Sequence, residues 1–132
     1  MDAYDAHKVR LSETYRTELD VLASRFGSPA QIVNTGGGCM AIETVVGEAP
    51  GTDHPLLLVI TTVDNGLAEE RGRILHWYAC LYDADDGADA LADGHDVRSF
   101  DTACDLALSN VRNGVPPSEE LCACSLVSDS ER

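Results

Sequence analysis

Between residues 30 and 82 the apolar residues come in runs too short for helices, each closed by a turn-forming cluster. That spacing constrains the chain more than anything else in it. The segments are 30–35 (AQIVNT), 39–46 (CMAIETVV), 56–63 (LLLVITTV) and 73–82 (RILHWYACLY). Gly36-Gly37-Gly38, the loop 47–53 and Asp64-Asn65-Gly66 punctuate them. Runs of this length bounded by Gly, Pro, Asn and Asp read as β-strands. Short connections between successive strands favour antiparallel neighbours, because a parallel pair needs a long crossover. The run 56–63 is apolar on both faces at its start, which places it centrally.

Helical periodicity flanks this block. Tyr4, His7, Leu11, Tyr15, Leu19, Leu22 and Phe26 recur at steps of three and four, with Glu13, Arg16, Glu18 and Asp20 off that stripe. The spacing predicts a helix over 3–26, stopped by Gly27-Ser28-Pro29. A second helix is expected from Ser99, a good cap, to Gly114 and Pro116-Pro117. Its buried stripe is Phe100, Ala103, Cys104, Ala107, Leu108 and Val111. The expected fold is α+β: an N-terminal helix, a four-stranded antiparallel meander and a C-terminal helix, with the helices on one face of the sheet. Residues 1–117 form a single domain in this reading, and 118–132 a tail. Segment 83–96 reads as an acidic loop with a helical turn at 88–92.

The chain of 132 residues carries nine Lys+Arg against 23 Asp+Glu, a formal charge of −14. Such a balance argues against direct binding to nucleic acid or anionic membrane, which both need clustered basic groups. Residues 83–105 hold eight aspartates and one arginine, so half of the net charge sits in 23 residues. The longest aliphatic run, Leu56–Ile60, is too short to span a bilayer. The N-terminus lacks the apolar core of a secretory signal, and five cysteines make an odd set. Both features point to reduced thiols in a cytoplasm.

Two segments are candidates for function. Asn34, Gly36, Gly37, Gly38 and Cys39 can form a ligand loop, because successive glycine N–H groups make an anion-binding concavity. The loop opens no helix and lacks the residues of a phosphate loop, so a plain hairpin turn is the competing reading. Asp83, Asp85, Asp86 and Asp89, next to Tyr78 and Tyr82, can form a protein-binding surface in which the aromatics supply the anchors. A solvated loop and a packed strand compete with that. Residues 83–89 miss the glycine and glutamate positions of a calcium loop. A single Cys122-x-Cys124 pair is too little for a zinc site. No nucleophile elbow or zinc-hydrolase motif is present. The expectation is therefore no catalytic residue, no metal and no cofactor.

The stretch IVNTGGGCMAIETVV, a strand ending in LYDADD and a Ser-led amphipathic helix resemble small uncharacterised proteins of actinobacterial phages over about residues 30–112. The resemblance implies a phage accessory protein in a host cell and brings no activity with it. Four functions follow as expectations. The first is modulation or inhibition of a host or phage protein with a basic surface, with nucleic-acid mimicry as the extreme form. The second is small-molecule or nucleotide binding at the Gly36–Gly38 hairpin. The third is a structural role in the virion. The last is an ordinary halophile protein whose acid serves solvation.

Overall fold

The structure, a computed structural model, describes residues 3–36, 39–63, 66–85 and 90–117. It is an α+β fold with a five-stranded antiparallel sheet in the order β1-β2-β3-β4-β5. The elements are α1 (Ala3–Thr14), α2 (Arg16–Phe26), β1 (Gln31–Gly36), β2 (Cys39–Glu48), β3 (Pro55–Thr61), β4 (Trp77–Asp83), β5 (Ala92–Asp96) and α3 (Phe100–Arg112). Every strand pairs with its neighbour in sequence, so the sheet is a simple meander. No helix among the described residues is long and apolar enough to cross a membrane.

The long N-terminal helix breaks once, at Tyr15. Its hydrogen bonds run on across the break: Tyr15 N–H donates to Leu11 O and Leu19 N–H to Tyr15 O, both at 2.9 Å. The Tyr15 side chain explains the local distortion, since it is wholly buried. Its hydroxyl donates to Ala68 O at 2.7 Å and lies 2.7 Å from Thr62 Oγ1. Ala68 N–H donates to the same Thr62 oxygen at 3.0 Å. The three groups close a ring in which Thr62 donates to Tyr15. That ring ties the helix junction to the β3–β4 connection, and Trp77 meets the Tyr15 ring edge-on at 6.1 Å. Gly27 then ends α2 in the left-handed conformation, at φ 67°, where glycine carries no Cβ penalty.

Glu18 departs from the periodicity. It is buried, with its carboxylate held by the Arg71 guanidinium at 2.7 and 3.0 Å. Arg71 also donates to Thr14 O at 3.0 Å. A charge off the expected apolar stripe therefore lies inside because a distant cation covers it.

The sheet has five strands where four were expected, and the extra one is β5. Its residues, Ala92-Asp93-Gly94-His95-Asp96, fall within the expected acidic loop, and Ala92 opens the strand instead of closing a helical turn. Nothing β-branched marks it. The reason lies in α3, which packs directly on β5. A Cβ added at Gly94 would collide with Ala103 O, Ala107 N and Leu106 Cβ. Strand and helix touch backbone to backbone, so only small residues fit: Ala92 and Gly94 below, Ala103 and Ala107 above. The helix begins where expected. Ser99 Oγ accepts from Thr102 N–H at 3.1 Å, and Asp96 Oδ1 accepts from Arg98 and Ser99 N–H at 2.8 and 2.6 Å.

One face of the sheet carries the core. Ile32, Met40, Ile42, Leu56, Leu58, Ile60, Trp77, Ala79 and Leu81 form one cluster with Leu11, Tyr15 and Leu22 of the N-terminal helices and Ala103, Cys104 and Ala107 of α3. Both helical regions thus lie on the same side, as the apolar stripes require.

Candidate functional site

Side chains alternate along a strand, so the residues between those core positions form the second face. Antiparallel pairing sets them in rows. Gln31, Glu43, Val59, Cys80 and Asp93 form one row across all five strands. Val45, Leu57 and Tyr82 form a second, and Thr61, Tyr78 and His95 a third. Val45 is 37% exposed, and Leu57, Val59, Tyr78, Cys80 and Tyr82 are half-buried. None of these residues belongs to the core cluster, and no described helix packs on this face.

The β4–β5 half of this face is a hydrogen-bonded cluster. Tyr78 O–H donates to Asp93 Oδ2 at 2.7 Å. Asn110 of α3 donates to the Asp93 carbonyl at 2.8 Å, which fixes the strand beneath that carboxylate. The Cys80 thiol contacts the hydroxyls of both Tyr78 and Tyr82. His76 and His95 meet edge-to-face at 5.2 Å, with the Tyr78 ring 6.2 and 6.3 Å from them. Burial first, then donation to Asp93, pushes the Tyr78 hydroxyl well above the usual tyrosine range. Burial first, then contact with Cys80, raises Tyr82. Burial also raises the Cys80 thiol, with the Asp93 carboxylate adding to the effect. The thiol and both phenols therefore stay protonated at neutral pH. They offer hydrogen-bond donors and ring faces rather than an activated nucleophile.

The acidic segment resolves into separate tasks. Asp83 is buried at the end of β4, where its carboxylate receives His54 Nδ1 at 2.9 Å and Asp85 N–H at 2.9 Å. Asp85 is exposed, with a carboxylate oxygen 3.9 Å from His54 Nε2. Asp86 and Asp89 lie outside the described residues. Asp93 serves Tyr78, Asp96 caps α3, Asp101 lies in the first turn of that helix, and Asp105 pairs with Arg25 at 2.6 Å. Asp83 and Asp93 sit on opposite faces of the sheet, so the described aspartates do not converge on one surface. Tyr78 and Tyr82 do share a face. The fold joins them to Val45, Leu57 and Val59, partners that are remote in sequence.

In the glycine-rich hairpin, Asn34 is exposed on β1, Gly36 ends that strand opposite Cys39, and Cys39 is exposed at the start of β2. Gly37 and Gly38 lie outside the described residues. Among the described residues no group of three or more His, Cys, Asp or Glu is arranged to hold a metal ion. Cys104 is buried against α3's own core, and burial pushes its thiol up to about 12.

What fold and site define together is an antiparallel α+β meander with helices on one face and a tyrosine-bearing second face. No protein-family model, curated protein or solved structure matches the chain.

Proposed function

We propose that this chain is a protein-binding domain that docks a partner on the second face of its sheet. The carrying observation is the row Val45–Leu57–Tyr82, flanked by Val59 and Tyr78, on a face over which no described helix packs. Tyrosines among aliphatic side chains are the composition of an interface centre, because they bury large area with little loss of rotamer freedom. Glu43 on the same face, and the −14 of the whole chain, select a partner whose apolar patch is ringed by Lys and Arg. In the phage-type reading that partner is a host or phage protein with a basic surface, which the chain modulates or inhibits in the host cytoplasm. The acidic segment then steers the encounter through its net charge, and the tyrosine face supplies the contact.

The test is quantitative capture from a high-GC bacterial lysate at low salt. The baits are the natural chain, the variant Leu57→Ser/Tyr82→Ser, and Leu106→Ser on the exposed side of α3. The expected result is a basic protein retained by the natural chain and by Leu106→Ser. Retention drops about tenfold with the sheet-face variant, as loss of an aromatic anchor implies, and weakens with added salt. A retained protein indifferent to the sheet-face substitutions, or no retained protein, contradicts the proposal.

A further inference from the structure

The C-terminal ends of α2 and α3 flank a cleft of about 390 Å³ above the β2–β3 end of the sheet. That size falls within the range of small-ligand sites, roughly 300–1,000 Å³. Phe26, Leu108 and Val111 line it, each packed on the core by one side and only partly buried. Arg25 and Arg112, the cations in the last turns of the two helices, also line it. The Arg25 guanidinium is pinned, 2.6 Å from Asp105 and 5.0 Å from the Phe26 ring centre. Arg112 is exposed, and no described carboxylate lies within ion-pair distance of it. Glu48 is the acidic group of the lining.

A cation in the last turn of a helix ordinarily just offsets the helix dipole. Here two such cations from different helices line one cleft with apolar walls, in a chain whose charge is otherwise strongly negative. We propose that this cleft binds a small single-chain amphiphile with one carboxylate head. The carboxylate pairs with the Arg112 fork, with Arg25 behind it, and the alkyl chain lies along Phe26, Leu108 and Val111. A guanidinium matches a carboxylate in two parallel hydrogen bonds. Glu48 disfavours a second negative charge on the ligand, and the apolar walls disfavour a compact hydrophilic anion. The site is separate from the sheet face and does not depend on it.

The probe is sodium octanoate, followed by calorimetry and by amide chemical shifts, with octanol and octyltrimethylammonium as neutral and cationic controls. The expected result is saturable one-to-one binding of octanoate, with shifts centred on residues 25–26, 46–48 and 108–112. Arg112→Gln weakens octanoate about tenfold, the scale of one charge-assisted pair, and leaves octanol unchanged. Shortening the chain to hexanoate weakens binding about fourfold per methylene removed. The Arg112 variant stays folded and melts within a few degrees of the natural chain, because its exposed side chain contributes only the charge at the helix end. Non-saturating shifts, equal affinity for the cation, or octanoate binding untouched by Arg112→Gln overturns the proposal.

Discussion

Leu57 and Leu58 are neighbours on β3 and point to opposite faces of one sheet. Leu58 is wholly buried beneath the helices, and Leu57 is half-buried on the face without one. The contrast holds along β4, where Trp77, Ala79 and Leu81 are buried while Tyr78, Cys80 and Tyr82 are half-buried. The two faces also differ in chemistry. The covered face is mainly aliphatic and aromatic packing, with Thr44 and Asp83 as buried polar members, whereas the second face mixes Val and Leu with hydroxyls, a thiol and two carboxylates. The first kind of surface serves stability, and the second is suited to a partner that must also exist apart from it.

The sharpest way to break that comparison is at the covered face's tightest point. Gly94→Ala forces β5 and α3 apart against backbone atoms, and overpacking of this kind costs about 3 kcal/mol or more. Chemical denaturation should show a large fall in midpoint. A near-neutral result means the helix does not sit on β5 as described.

Next in size is the Leu pair. Leu58→Ala should destabilise by about 2–5 kcal/mol, as for a buried aliphatic truncation. Leu57→Ala should remain within about 1 kcal/mol of the natural chain. Equal costs in urea unfolding would erase the distinction between the faces. Tyr15→Phe removes one member of the Tyr15–Thr62–Ala68 ring and leaves the buried Ala68 carbonyl without that donor. The expected loss is about 1–3 kcal/mol, measured by thermal or denaturant unfolding.

The smallest effect is a pH dependence. Backbone N–H groups of Arg98 and Ser99 hold the Asp96 carboxyl below its usual range. A lowered folded-state value means the stabilisation is present above the unfolded value, near about 3.9, and is lost as pH falls through the folded one. Stability should therefore decline on acidification below about pH 4, with a shallower decline in Asp96→Ala. Identical acid profiles would remove Asp96 from the account.

Much of the fold is written locally. The α3 stripe of Phe100, Ala103, Cys104, Ala107, Leu108 and Val111 is buried or partly buried as its periodicity indicates. The meander follows from short runs and short turns. Strand β5 was not legible, because close packing against α3 selects Ala and Gly, which carry no strand signature. The buried Glu18 was not legible either, since its partner Arg71 lies 53 residues away. The site was half visible. Tyr78 and Tyr82 could be singled out from sequence, but their neighbours Val45, Leu57 and Val59 come together only through cross-strand register. The clustering of aspartates along the sequence suggests one surface, and strand alternation sets two of the described ones, Asp83 and Asp93, on opposite faces.

The most direct test of the docking face is a hydrogen-exchange footprint of the chain bound to its captured partner, compared with the chain alone. Protection by the partner is expected at the backbone amides of β2, β3 and β4, around 43–45, 57–59 and 78–82, with α1 and α3 unchanged. New protection confined to α1, α2 or α3, with the sheet unaffected, would contradict the assignment of the second face as the docking surface.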